Sequence, residues 1–247
     1  MLTTIAQPLS WYVDKIRSGE QFTSLLYGDG EFLVAMRSVT GRRMAHSELV
    51  TKTMEDEMLA SFDSTDADLI RATDLHLIDW ESYKGTDWED IKAHSLQVHA
   101  MLQGKALNFY DGVVWEDAVR HGNLAPFLQE IKRREEGIVL VGNPRLRSLK
   151  FLKPQLKLFL EIPEQNAYSA IDNLETKLKR FGRPGIYLIC AGLTTIPLIM
   201  RLRKSIPNST FLDLGSTFDV FVRLETRGWR RELYTKVEEY QRIINSN

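Results

Sequence analysis

Apolar residues fall in short runs separated by stretches with helical spacing, the pattern of strands alternating with helices. The clearest runs, at 22–27, 138–141, 186–190 and 210–214, are bounded by Gly, Pro or Asn and read as strands. Runs at 156–162 and 106–110 are weaker strand candidates. Helices are expected over 9–17, 32–38, 47–62, 88–102, 124–134, 167–180, 195–204 and 230–244. This alternation predicts an α/β fold of three layers around a mainly parallel central sheet. No linker, repeat or low-complexity segment divides the chain, so residues 1–247 are expected to form one domain. The stretch 63–122, rich in acids, Trp and His, is expected as an irregular helical insertion beside the sheet. Its Trp80, Tyr83, Trp88 and Trp115 could stack on a sugar or base, or simply pack.

All four strong runs end in small or polar residues: Gly28-Asp29-Gly30-Glu31, Gly142-Asn143-Pro144, Ala191-Gly192-Leu193-Thr194-Thr195 and Gly215-Ser216-Thr217-Phe218-Asp219. In an open parallel sheet, ligands bind at the carboxyl ends of strands, where helix N-termini present free N–H groups. The first end is the most informative. Asp29 and Glu31 are hard oxygen donors, and Gly28 and Gly30 leave room for a phosphate to approach the backbone, a combination suited to a divalent cation bridging to a diphosphate. Asp-Gly is also a common turn dipeptide. The convergence of four such ends on one crevice favours the functional reading. Neither a G-x-G-x-x-G nor a G-x-x-x-x-G-K-[ST] pattern is present.

With 43% hydrophobic and 26% charged residues in 247, the chain can bury an ordinary core, which excludes a disordered class. The one cysteine, Cys190, rules out an intrachain disulfide and sits in an apolar run as a small buried hydrophobe. No window reaches the roughly 18 apolar residues of a membrane span, and no basic region precedes an apolar core, so a cytoplasmic location is expected. The net charge of −1 hides an asymmetry: residues 1–137 hold 14 Lys+Arg against 23 Asp+Glu, and residues 138–247 hold 18 against 10. Arg145, Arg147, Lys150, Lys153, Lys157, Arg201, Arg203, Lys204, Arg227, Arg230 and Arg231 carry the positive half. The expected role is solvated faces paired with the acidic half, with a phosphate-bearing ligand or nucleic acid still allowed.

Taken together, the strand ends resemble the GT-D type glycosyltransferases, a Rossmann-like single-domain family. Tyr27-Gly28-Asp29-Gly30-Glu31-Phe32 is similar to that family's Y/F-G-D-G-E-F/W segment, and Val141-Gly142-Asn143 to its second strand end. Ile162-Pro163 with Asn166-Ala167-Tyr168 resembles its I-P-x-x-N-A-Y/W element, and Ala191-Gly192 its next turn. Leu212-Asp213-Leu214-Gly215-Ser216, Phe218-Asp219 and Thr226-Arg227-Gly228-Trp229 resemble the last stretch of one branch. Ser216 stands where many members carry a histidine, so no role of that histidine is carried over.

The resemblance implies a GT-D fold and metal-dependent transfer of a sugar from a nucleotide sugar, with a UDP-linked donor expected. Asp29 and Glu31 would hold Mn2+ or Mg2+ near the diphosphate. Gly28, Gly30, Gly192, Thr194 and Thr195 would meet phosphate; Gly142 and Asn143 would border the nucleotide, with Ser216 and Thr217 nearby. Asp219 is the first candidate for general base and His46 the second. Competing roles are a loop cap for Asp219 and the start of the helix near Ser47 for His46. His76, His94, His99 and His121 are assigned no metal. The acceptor is a glycan, a protein glycan or a modified DNA base, and nothing in the sequence specifies an oligomeric state. A non-catalytic nucleotide-binding protein is the main alternative; a metal-dependent phosphohydrolase would need more convergent carboxylates or histidines.

Overall fold

The computed structural model describes residues 1–44 and 48–224. His46, the helix expected over 230–244 and Thr226-Arg227-Gly228-Trp229 lie outside the described residues. The chain runs β1 (Leu2–Ile5), α1 (Leu9–Ser18), β2 (Thr23–Tyr27), α2 (Asp29–Ala35), α3 (Lys52–Ala60), β3 (Leu69–Thr73), α4 (Trp88–Met101) and β4 (Leu107–Asp111). It continues through α5 (Val114–His121), α6 (Ala125–Lys132), β5 (Ile138–Gly142), β6 (Leu156–Glu161), α7 (Ile171–Phe181), β7 (Ile186–Cys190), α8 (Thr195–Leu202) and β8 (Thr210–Asp213). The strands form one sheet in the order β1-β4-β3-β2-β8-β7-β5-β6, and every recorded pairing is parallel.

Right-handed crossovers place connections that run in opposite directions along a sheet on opposite faces, and the core follows that rule. Helices α2, α3, α4, α7 and α8 bury Phe32, Met54, Val98, Leu174 and Ile199 against Leu25, Val139 and Tyr187. Helices α1, α5 and α6 bury Tyr12, Trp115 and Phe127 against Leu140, Leu188 and Leu212 on the other face. Successive strand residues alternate between the two clusters, as the period of two requires. The α/β three-layer architecture is therefore as expected from the sequence.

Three expectations are corrected. The stretch 63–122 is not an insertion beside the sheet, because it supplies β3 and β4, and β3 pairs with β2 along its full length. The chain at 47–51 is not helical where described: Leu49 bridges Arg43, and α3 starts only after Thr51, whose hydroxyl accepts the Met54 N–H at 3.2 Å. Glu48 is buried instead, accepting the N–H groups of Ala167 and Tyr168 at 2.9 Å each. The helix after β2 begins at Asp29 rather than Phe32, so the acidic pair lies on a helix and not in a loop.

Candidate active site at the carboxyl edge of the sheet

Because the strands are parallel, their carboxyl ends share one edge. There, the chain leaves neighbouring strands toward opposite faces. From β2 and β7 it enters α2 and α8 on one face. From β8 and β5 it enters the 3₁₀ turns Asp219–Val222 and Pro144–Ser148, whose Val220, Phe221 and Leu146 join the other cluster. Such divergence opens a crevice above the middle strands.

The opening is widest in pairing terms between β2 and β8. Their ladder covers only Thr23↔Phe211 and Ser24↔Leu212, whereas β2 pairs with β3 through to Tyr27↔Thr73. Beyond Ser24 the Asp213 side chain replaces the missing ladder. Leu26 N–H donates to its Oδ2 at 3.2 Å and Gly215 N–H to its Oδ1 at 3.0 Å. Asp213 is 4% exposed. Burial, and then the nearby Glu31 carboxylate, push its carboxyl well above the usual range, against the pull of the two N–H groups.

Directly beside this seam, Glu31 turns back over the start of α2, where Gly28 N–H donates to Oε2 at 2.9 Å. A Cβ on Gly28 would stand 3.0 Å from that oxygen, so a side chain here would push the Glu31 carboxylate aside by a few tenths of an ångström. Two positions apart on a helix, side chains point away from one another; this back-bond brings the Glu31 carboxylate to the helix end where the exposed Asp29 begins. The tip of β7 closes on the same place. A Cβ on Gly30 would lie 3.4 Å from Leu193 Cδ2 and 4.0 Å from Met44 Cε, so the start of α2 and the turn Gly192–Thr194 touch across β8. Gly192 itself has φ +54° and would point a Cβ into open space.

The remaining candidate residues take different places. Thr194 and Thr195, expected to offer hydroxyls to phosphate, are 0% exposed. Thr195 Oγ1 accepts the Ala191 N–H at 2.9 Å, tying α8 to its own strand, and Thr194 Oγ1 is buried with no partner. Thr217 is likewise turned inward, donating to Leu214 O at 2.6 Å, while Ser216 is half-buried and its carbonyl accepts the Asp219 N–H. Asp219 is 7% exposed and lies near enough to Cys190 that it and Asp213 add to the burial that pushes that thiol up. Cys190 is thus the inert core residue expected. Gly142 has no room for a side chain, with Leu146 Cδ1 2.6 Å and Cys190 O 3.3 Å from an added Cβ. Asn143 Oδ1 accepts the Arg145 N–H at 3.0 Å and starts the turn that follows.

Outside the crevice, Trp115 is buried against Tyr12 and Phe127 and cannot stack on a ligand. Trp80 and Trp88 meet edge to face with Lys92 over both rings. Part of the basic half pairs with the acidic half as expected, Arg201 with Glu57 and Arg203 with Asp66 and Asp68, whereas Arg147 with Glu161 and Arg201 with Asp172 and Glu175 pair within the basic half itself. Two acids escaped functional notice in the sequence, Asp213 and Glu48. Asp213 had two signals, a carboxylate within an otherwise apolar run and its place in the Leu212-Asp213-Leu214-Gly215-Ser216 stretch.

Among the described residues no group of three or more His, Cys, Asp or Glu is arranged to hold a metal. Asp29 and Glu31 still fit a magnesium-like ion, which takes one or two protein carboxylates and fills its remaining positions with water and substrate phosphate.

The fold resembles those of solved structures. One, described as showing that the highly conserved domain of unknown function 1792 has a distinct glycosyltransferase fold, matches with TM-score 0.66 and 14% identity over 95% of this chain and 82% of that one. A second, described as a new glycosyltransferase (DUF1792) from Streptococcus sanguinis, matches with TM-score 0.65 and 13% identity over 95% and 85%. This chain shares their fold. No family model and no curated protein matches the sequence. Among the described residues no helix is long and apolar enough to cross a membrane.

Proposed function

We propose that the protein transfers a glycosyl group from a nucleoside-diphosphate sugar, with UDP the expected carrier, to an acceptor hydroxyl. One observation carries the reading: in a fold shared with glycosyltransferases, Asp29 and Glu31 occupy the first turn of α2 at the opened β2/β8 seam, and Gly30 between them lies against Leu193 of the Gly192–Thr194 turn. A Mn2+ or Mg2+ ion held there by the two carboxylates would neutralise charge developing on the departing diphosphate. The chain's own part is positional. Gly192 at positive φ keeps the β7 turn free of side chains, and backbone N–H groups near the start of α8 present positive potential to phosphate. Asp213 holds the β2 tip at a fixed distance from β8. Asp219 is the proposed acceptor for the proton of the incoming hydroxyl.

Titration calorimetry of UDP with and without Mn2+ tests the reading. Wild type should bind UDP in a metal-dependent manner, and Asp29→Ala combined with Glu31→Ala should abolish that dependence. Equal binding by the double variant would refute the assignment, and nucleotide binding without any transfer of labelled sugar would favour a non-catalytic binding protein.

A further inference from the structure

We propose that the cleft between the β5 and β6 tips and α7 receives the nucleoside end of the donor, so that the donor lies along the carboxyl edge from β2 toward β6. This rests on the reading above, that a nucleoside-diphosphate sugar is the substrate. The cleft has a volume of about 320 Å³. Pro144, Ile162, Pro163 and Leu174 give it flat apolar walls, which suit the faces of a base and ribose, while Asn173 and Lys177 on α7 supply polar edges.

Neither Asn173 nor Lys177 has a hydrogen-bond or ion-pair partner among the described residues, although the neighbouring Lys179 is paired with Glu175. An Asn amide offers one acceptor and two donors to a base or ribose edge, and an ammonium offers three donors to its carbonyl and hydroxyl oxygens. Glu161, also on the lining, is occupied by Arg147. The spacing agrees. β2 and β5 are separated by β8 and β7, so three strand intervals of about 4.8 Å put the β5 tip about 14 Å from the acidic pair, a span comparable to an extended nucleoside diphosphate.

Charge decides the direction. On the other side of β2, the tips of β3 and β4 carry Asp74, Asp79 and Asp111, and burial together with Asp74 raises the Asp111 carboxyl, a sign of accumulated negative potential. A nucleoside diphosphate laid in that direction would be repelled, which leaves the β5 and β6 side for its nucleoside.

Calorimetry with UDP, UMP and inorganic pyrophosphate, each with Mn2+, separates the outcomes. Both cleft side chains are exposed, so Asn173→Ala and Lys177→Glu should melt as wild type does without ligand. Asn173→Ala should weaken UDP and UMP binding about three- to tenfold, Lys177→Glu by more, and both should leave pyrophosphate binding unchanged. Asp29→Ala with Glu31→Ala should instead weaken UDP and pyrophosphate and spare UMP. Wild-type UDP affinity in both cleft variants would overturn the cleft assignment while the glycosyltransferase reading stands. Equal weakening of pyrophosphate would also overturn it, by making the cleft a phosphate site. If wild type bound no nucleotide from a UDP, CDP, GDP and ADP panel, both would fall.

Discussion

Replacing Asp213 tests whether one side chain holds the seam between β2 and β8. Its two oxygens accept the N–H groups of Leu26 and Gly215 in an environment that water barely reaches. Asp213→Ala leaves both donors unmatched at about 1–3 kcal/mol each, so the fold should lose about 2–6 kcal/mol. For a domain of this size that corresponds to a melting temperature lower by about 4–24 °C. Asp213→Asn keeps one acceptor and points an NH2 group at the second donor, which should cost about 1–3 kcal/mol. The pH dependence supplies the sharper signature. Burial raises the folded-state pKa above the unfolded value of about 3.9, so the folded protein holds the proton more tightly. The stability contributed by Asp213 is therefore complete below the unfolded pKa and is lost as pH rises through the folded one. The stability gap between wild type and Asp213→Asn, measured by urea denaturation from pH 4 upward, should be largest at low pH and shrink as pH increases. A gap that widens with pH would mean that the two N–H groups outweigh burial and that the carboxylate is held ionised. A gap near zero at every pH would refute its structural role outright.

Other substitutions probe the same edge. Thr195→Val removes the acceptor for the buried Ala191 N–H and should cost about 1–2 kcal/mol by thermal denaturation, whereas Thr194→Val removes a buried hydroxyl without a partner and should be neutral or stabilising. The opposite ranking would show that the Thr194 hydroxyl has a partner after all. Gly142→Ala places a methyl group against Leu146 and the Cys190 carbonyl and should destabilise by about 1–3 kcal/mol in the same assay. Glu48→Ala exposes the Ala167 and Tyr168 N–H groups to an apolar site and should lower the denaturation midpoint by an amount equivalent to about 2–5 kcal/mol; an unchanged midpoint would remove Glu48 from the fold's supports.

The strands at 22–27, 138–141, 186–190 and 210–214 were legible because their apolar content is enforced by burial on both faces, a local property of a parallel sheet. β3 was not, because Arg71 interrupts its apolar run. The guanidinium donates to the carbonyls of Ser61 and Ser64, contacts that only the folded chain provides. The helix boundary after residue 47 failed for a similar reason. Ser47 and Thr51 are both acceptable caps, and what separates them is Glu48, which is claimed by two N–H groups 119 and 120 residues away. The site divides along the same line. Acids and glycines at strand ends could be read directly, since edge position follows from each strand's own limits. The direction of Glu31 could not, because it depends on the helix starting at Asp29. Asp213 shows the principle most clearly. It is one acid at the end of one strand until β2 becomes the neighbour of β8, when the Leu26 N–H, 187 residues away, gives it a partner. Strand order, which no local pattern encodes, thus turns a motif residue into the support of the candidate active site.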